Sequence, residues 1–350
     1  MSTLKCGASC KIVTGAAGHP YLHESHRQRV TISGMFKRKL SFLLLAIFCF
    51  TVASSAADFT IKKMGDGIYA AIANEGGKAG SNAGFVIGSD GVLVVDTLQD
   101  AGVARDLLAE IRKLTSLPIR YVVNTHYHLD HTTGNGVFAE AGATIIAHRN
   151  VRGWLRTENL KFFGPTPKPE QKAWVESLVL PNLVYTDAID LYLGTRLLQV
   201  RYMLGHTGGD SVVIVPDANV VFGGDLVWQH HLPNLIDAST MPWIETLDTL
   251  LVQRPTATYL SGHGDVATPA DVRDFRNYLA ALRDAVAKAQ KEGKSGDELA
   301  TTVLADLQPK YGDWGFFKNF SRRNIDQTAA ELAGKKRLPP VMDENGAQAK

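Results

Sequence analysis

The sequence predicts a mixed α/β fold in which strands and helices alternate along much of the chain. Short apolar runs such as residues 92–95 and 212–215 have the length and β-branched composition of buried strands. Other segments, such as residues 101–114 and 270–291, repeat apolar residues at helical spacing. Helices dominate after residue 270, which gives the predicted α/β class an α+β character.

Turns rich in glycine, proline and asparagine separate the predicted strands and helices along the chain. The predicted strands are a pair within residues 59–73, a hairpin of residues 85–87 and 92–95, and then residues 119–123, 143–147, 196–203, 212–215, 220–222 and 257–261. The predicted helices are residues 101–114, 136–141, 240–252, 270–291, 296–307 and 318–333. Residues 154–176 are less regular, and we expect a polar tail to fray from Lys335.

Composition describes an ordinary globular protein. The 350 residues are 45% hydrophobic and carry a formal net charge of +2. No basic stripe with interleaved aromatic residues is present, which argues against nucleic-acid binding. We expect a small-molecule substrate, and the sequence leaves the oligomeric state open.

The N-terminal region has the form of a targeting segment. A basic stretch from Met35 precedes the apolar residues 40–52, which are too few to span a bilayer comfortably, and small residues follow. We expect a signal peptide over residues 35–57, cleaved near Ala56 or Ala57, with an uncleaved anchor as the alternative. Residues 1–34 then form an over-extended leader, residues 58–334 the domain and residues 335–350 the tail. The expected location is periplasmic or secreted, without stable membrane insertion after cleavage.

The cysteines support this division of the chain. Cys6, Cys10 and Cys49 all precede the expected cleavage site. A mature chain without cysteine has neither a disulfide framework nor a thiolate metal ligand.

One stretch carries the strongest chemical signal. Three histidines and an aspartate, His126, His128, Asp130 and His131, follow the strand pattern of residues 119–123. Alternate residues of an extended segment point to the same side, so these side chains can converge. Imidazole with carboxylate suits zinc, and also iron or manganese. Solvated histidines on a polar loop are the alternative interpretation.

Other predicted strands end in the same way. Asp96, His206, Asp225 and His263 each follow an apolar run, and glycines flank the last three. Sites gather on loops at one edge of a sheet, and glycine lets the backbone approach closely. The sequence therefore predicts a metal site built from several strand ends.

With these residues, the sequence resembles the metallo-β-lactamase-fold superfamily over roughly residues 60 to 270. The resemblance implies an αββα sandwich with two metals at one edge of the two sheets. It implies that His126, His128 and His206 hold one metal, that Asp130, His131 and His263 hold the other, and that Asp225 bridges them. It also implies that Asp96 supports the metal loop.

Such a site predicts hydrolysis. Two Zn²⁺ ions can share a hydroxide that attacks a carbonyl, phosphoryl or sulfuryl centre, and they neutralise the oxyanion. Asp130 is the candidate catalytic residue, because it can orient the nucleophile or pass a proton to the leaving group. His148, His230 and His231 match no motif; His230 and His231 are expected in a solvated loop, with a place in the pocket wall as the alternative.

The resemblance leaves the substrate open. Lactamases with a cysteine ligand carry it where Asp225 stands, so this chain is more similar to the glyoxalase II and broad-hydrolase branch, or to exported members of quinoprotein-dependent oxidation. We expect a hydrolase of an ester, thioester or lactam, with β-lactamase-like activity among the candidates. The alternatives are a sulfur dioxygenase-like oxidoreductase with a single iron and a metal-binding protein without catalysis.

Overall fold

Alternation of apolar side chains along the strands places each sheet between the other sheet and a layer of helices. In the computed structural model, which describes residues 57–343, Val92 and Val94 pack toward the helices on one side. Leu93 and Val95, which point the opposite way, join side chains of the second sheet in the central core. The result is the predicted αββα sandwich.

The first sheet contains seven strands in sequential order. Its first four strands are antiparallel and the last three run parallel to the fourth. The strands are β1 (Phe59–Gly65), β2 (Ile68–Ala73), β3 (Ala83–Ile87), β4 (Val92–Val95), β5 (Ile119–Val123), β6 (Thr144–His148) and β7 (Leu183–Tyr185).

The second sheet contains six strands in the order β13-β12-β11-β10-β9-β8, and only β11 and β12 pair in parallel. Its strands are β8 (Ala188–Leu193), β9 (Arg196–Tyr202), β10 (Ser211–Val215), β11 (Val220–Trp228), β12 (Thr258–His263) and β13 (Val266–Ala267).

The helices cover the outer faces of both sheets. The first sheet packs against α1 and α3 and the second against α6 and α7, while α8 and α9 pack on α7. Their bounds are α1 (Ala101–Leu114), α2 (Leu129–Thr132), α3 (Asn135–Glu140), α4 (Arg149–Trp154), α5 (Pro169–Ser177), α6 (Thr240–Gln253), α7 (Pro269–Lys291), α8 (Gly296–Tyr311) and α9 (Phe317–Leu332). Glu158–Phe163 and Pro216–Ala218 form 3-10 turns.

Strand β11 is longer than the sequence predicts. The prediction ended it before Gly223 and Gly224, because glycine pairs punctuate strands, whereas the strand continues through Asp225 to Trp228. The register shifts around Gly224, whose φ is 49°. Glycine adopts this conformation readily. The glycine pair therefore does not end the strand but makes an irregularity within it, which changes the direction of the Asp225 side chain.

Three strands within the described residues were missed, β7, β8 and the two-residue β13, and each lies at a sheet edge. β7 has three residues, too few to show a pattern. β8 does alternate, since Leu191 and Leu193 are buried while Asp190 and Tyr192 are exposed. Edge strands of this kind carry a weaker apolar signal than central ones.

The C-terminal segment packs against the domain, although the sequence predicts that it frays from Lys335. The indole Nε1 of Trp154 donates to the Pro340 carbonyl at 2.7 Å, and the Met342 amide donates to Asn150 Oδ1 at 3.0 Å. Met342 lies in a small core cluster with Tyr127 and Trp154. One apolar side chain in a polar tail is too little pattern to predict such docking.

The predicted leader and signal segment fall outside the described residues, except for Ala57, as do residues 344–350 of the tail. Among residues 57–343, no helix combines the length and apolar character needed to cross a bilayer.

Met342→Ala should lower the free energy of unfolding by about 2 kcal/mol, the lower end for methionine truncation, because the segment can partly relax around the cavity. Chemical denaturation measures this change. Val341→Ala is the matched control, since its side chain is 63% exposed, and it should change stability by less than about 0.5 kcal/mol. Equal denaturation midpoints for the two variants would show that the segment does not contribute to the core.

Candidate metal centre

All seven predicted ligand residues meet at one edge of the sandwich. His126 and His128 follow β5, and α2 supplies Asp130 and His131. The second sheet supplies the remaining three: His206 from the loop between β9 and β10, Asp225 from β11 and His263 from the end of β12. Their side chains form two groups, His126, His128, His206 and Asp225, and then Asp130, His131 and His263, within each of which the potential ligand atoms lie within 4.8 Å of one another.

The side chains of the first group are buried, and their nitrogen and oxygen atoms lie close to one another. His206 Nε2 lies 3.0 Å from His128 Nδ1 and 3.2 Å from Asp225 Oδ2. His126 Nε2 lies 3.8 Å from the same carboxylate oxygen. Burial lowers the pKa of His206 to about 3 and holds the pKa of His126 well below its usual range. Both rings are therefore neutral near pH 7, which is the form that ligates metal.

In the second group, the Asp130 carboxylate lies beside both histidines. Asp130 Oδ2 lies 3.3 Å from His263 Nε2 and 3.5 Å from His131 Nε2. Burial lowers the pKa of His263, but Asp225 and Asp130 outweigh burial and raise that pKa to about 9. The surroundings of these two histidines therefore favour a positive charge, which a metal ion would also supply.

Asp225 lies between the two groups. Its Oδ1 is 3.0 Å from His131 Nε2, while its Oδ2 is 3.5 Å from His263 Nε2 as well as 3.2 Å from His206 Nε2. Burial raises the pKa of this carboxyl, but the surrounding histidines hold it well below its usual range. Gly262 leaves room for the Asp225 carboxylate, because a Cβ at position 262 would collide with it.

Asp96 orients the loop that carries the histidines. Its carboxylate accepts hydrogen bonds from the Thr125 amide and hydroxyl, both at 2.7 Å, and its Oδ2 lies 2.8 Å from His131 Nδ1. This contact directs the opposite ring nitrogen, Nε2, into the site. Asp96 turns the chain directly after β4 with a φ of 60°, which aspartate tolerates better than most residues. The position agrees with the supporting role that the resemblance implies.

Asp237 is a functional residue that the sequence reasoning missed. Its Oδ2 lies 3.3 Å from His128 Nε2, so it positions the ring whose Nδ1 faces the site. Asp237 also accepts hydrogen bonds from Tyr127 and, at 2.6 Å, from Lys161. Asp237 and His128 are 109 residues apart in the sequence, and no local pattern links them.

Within residues 57–343, the three histidines without a motif match join neither group. His148 caps α4 and stacks on Tyr202 at 4.4 Å between ring centroids. The His230 side chain is 51% exposed, in keeping with the expected solvated loop. His231 instead packs beneath Phe316, with the ring centroids 5.1 Å apart.

The donor set fits a metal centre. Within the described part of the chain, four buried atoms of the candidate ligand residues have no hydrogen-bond partner, namely His126 Nε2, His131 Nε2, His206 Nδ1 and Asp225 Oδ1. Unpaired buried polar atoms are costly. Three of them point into the space between the two groups, where imidazole nitrogen and carboxylate oxygen are the ligands that zinc and related metals accept.

Comparison with known proteins agrees with this geometry. The sequence model of the metallo-beta-lactamase superfamily matches residues 76–263. A linear primary-alkylsulfatase from Pseudomonas sp. (strain ATCC 19151) is 22% identical over 61% of this chain, which spans only 48% of that relative's length. A type 2 metallo-beta-lactamase from Bacteroides fragilis is 25% identical over 59% of this chain and 80% of its own.

The fold also has a match among solved structures. The metallo-beta-lactamase from Pontibacter korlensis superposes with a TM-score of 0.51, at 19% identity, over 63% of this chain and 99% of its own. At this identity the likeness supports the fold alone.

Asp237→Asn should lower metal affinity about 10- to 100-fold, because a neutral amide holds the His128 ring less firmly than a carboxylate. Competition with a metal-binding dye measures the affinity, and circular dichroism checks the fold. Asp66→Asn is the control, because that side chain is 99% exposed. Unchanged affinity in Asp237→Asn would mean that His128 is positioned by other contacts.

Proposed function

The chain belongs to the metallo-beta-lactamase superfamily, and from this premise we propose that it is a hydrolase that binds two zinc ions. His126, His128 and His206 would hold one ion, and Asp130, His131 and His263 the other. Asp225 would contact both. The single observation that carries the proposal is the position of Asp225, with one carboxylate oxygen 3.0 Å from a ring nitrogen of the second group and the other 3.2 Å from a ring nitrogen of the first.

When bound, the ions supply a hydroxide near neutral pH and offset the charge that develops on the substrate oxygen. The protein contributes fixed geometry. Asp96 and Asp237 hold His131 and His128 in place before substrate arrives, so little reorganisation is needed during reaction.

Asp130 is the candidate acid-base residue of the chain. Its side chain is 26% exposed, whereas the other ligand side chains are 10% exposed or less. A carboxylate that faces both the ligand cluster and the cavity can orient the attacking water and pass its proton to the leaving group.

We favour a carbonyl substrate, that is, an ester, thioester or lactam. Two complete ligand groups support two ions over the single iron of a dioxygenase-like oxidoreductase. Metal analysis of the purified protein separates these functions, because two zinc ions per chain with hydrolysis supports the proposal. One iron per chain together with oxygen uptake would instead support the oxidoreductase and contradict the hydrolase proposal.

We also propose that the protein is exported, on the basis of the basic, apolar and small-residue succession from Met35 to Ala57. N-terminal sequencing of protein from the native host tests this. A mature chain that begins at or before Met35 would contradict export.

Asp225→Asn should release one metal ion per chain and lower kcat/KM by at least about 100-fold, because an amide bridges two cations poorly and half of the charge stabilisation is lost. Metal analysis and ester hydrolysis measure the two effects. Asp217→Asn, at the turn that leads into β11 and with a side chain 53% exposed, is the control and should retain both ions. Two bound ions and full activity in Asp225→Asn would rule out the bridging role.

A further inference from the structure

A cavity of about 300 Å³ opens onto the candidate metal centre. Beside the ligand side chains, its wall contains four aromatic residues, Phe162, Trp228, Phe316 and Phe320, together with Gly80, Gln99, Leu129 and Asn234. A volume at the lower end for ligand sites suits a small substrate, and apolar walls favour an apolar substituent on it.

Phe316 forms one side of the opening. Its side chain is 39% exposed, and its ring centroid lies 5.8 Å from that of His263 and 5.7 Å from that of Phe320. The residue has a φ of 60°, a conformation that costs free energy for phenylalanine. The neighbouring Gly315 holds it there, since its amide donates to the His230 carbonyl at 2.9 Å and its carbonyl accepts from the Leu232 amide at 2.8 Å.

Other rings cover the ligands directly. The Phe162 ring is edge-on to His128 at 5.1 Å between centroids, and that side chain is 38% exposed. Trp228 stacks on His263 at 4.1 Å with an interplanar angle of 20°. Exposed aromatic rings on two sides of a metal centre offer a binding surface for an apolar group that is attached to the reacting carbonyl.

The cavity offers no cationic side chain to an anionic substrate. Among the described residues, none of those that line it is lysine or arginine. Lys161 lies nearby, with its Nζ 5.7 Å from the centre of the Phe162 ring, but it is paired with Asp237 at 2.6 Å and Glu158 at 3.5 Å. A carboxylate or phosphate on the far end of a substrate would therefore lose water without gaining a cationic partner.

Part of this wall lies outside the region that the family model matches. The match ends at residue 263, whereas Phe316 and Phe320 belong to the start of α9. The start of the last helix therefore supplies two of the four aromatic residues, while Phe162 and Trp228 lie within the matched region.

We propose that Phe162, Trp228, Phe316 and Phe320 form an apolar acyl subsite, and that the substrates are small uncharged esters with an aryl or alkyl acyl group. This inference rests on the proposed hydrolase function. Water adds to the ester carbonyl carbon, the bond from that carbon to the alkoxy oxygen breaks, and the alcohol leaves with a proton while the acid is released.

Three methyl esters test the subsite, because methanol is too small a leaving group to occupy it. Methyl 3-phenylpropanoate carries an apolar ring, methyl acetate has no side group, and monomethyl glutarate carries a carboxylate. We expect kcat/KM to be about 10-fold or more higher for the phenyl ester than for either of the others. Loss of turnover with a chelator shows that the hydrolysis depends on metal.

Phe316→Ala and Phe316→Gly should remove most of this preference, with an about 10-fold loss on the phenyl ester and less than about 2-fold on methyl acetate. Glycine accepts the positive φ, so Phe316→Gly keeps the test valid if the alanine variant folds poorly. Tyr192→Ala, which removes an aromatic side chain 55% exposed on β8 and away from the cavity, is the control.

Binding of 4-phenylbutan-2-one, an uncharged ketone that cannot be hydrolysed, separates the two proposals. We expect its Kd, followed by calorimetry on the metal-loaded protein, to rise about 10-fold in the Phe316 variants. Two results would overturn the subsite and leave the hydrolase proposal intact. One is metal-dependent hydrolysis with a higher kcat/KM for monomethyl glutarate than for the phenyl ester, and the other is a kcat/KM for the phenyl ester that does not change in the Phe316 variants. Ketone binding that depends on Phe316, without hydrolysis of any of the three esters, would support the apolar subsite and count against the hydrolase.

Discussion

The structure depends on one buried carboxylate placed among histidines from both sheets. Asp225 is 3% exposed, and its oxygens lie within 3.8 Å of ring nitrogens of four histidines. Two of those histidines come from the loop after β5 in the first sheet and two from the second sheet, so both sheets must end at the same edge. A charge buried to this degree is tolerated only with close partners. The register of β11 around Gly224 serves this requirement, because it aims the carboxylate at the interface between the layers.

Two of the histidine rings at this site are each held by an acid outside the two ligand groups. Asp96 fixes His131 from the end of β4, and Asp237 fixes His128 from the loop after β11. The two acids differ in how they are partnered. Asp96 is satisfied by the backbone and hydroxyl of Thr125, within the same sheet edge, whereas Asp237 is satisfied by Tyr127 and Lys161. The first arrangement is fixed by the strands, and the second ties the irregular segment after Trp154 to the metal centre.

The sequence predicted the parts of the site that follow from local periodicity. His126, His128 and His263 stand at or just beyond strand ends, and strand ends meet at sheet edges, so their convergence could be inferred without coordinates. Asp225 was predicted at a strand end as well, but it lies within β11. The place of Asp237 could not be inferred, because its contact with His128 spans 109 residues and depends on how a loop packs. The end of β11 was misplaced because glycine pairs signal both a turn and an irregularity within a strand. The docking of Met342 was not predicted either, because it depends on a single apolar residue that packs against Trp154.

The ligand residues could be predicted from the sequence and the aromatic wall of the cavity could not, and the two have different roles in the molecule. The ligand set lies within the region shared with the superfamily, and its chemistry would suit many carbonyl substrates. The aromatic wall is assembled from three separate places: the 3-10 turn at Phe162, the end of β11 at Trp228 and the start of α9 at Phe316. Phe316 reaches Trp228, at 6.3 Å between ring centroids, because the C-terminal helices pack over the second sheet and Gly315 bonds to the loop after β11. The proposed apolar subsite is therefore a product of tertiary packing, and the same helices that complete the outer layer of the sandwich also supply Phe316 and Phe320 to the cavity.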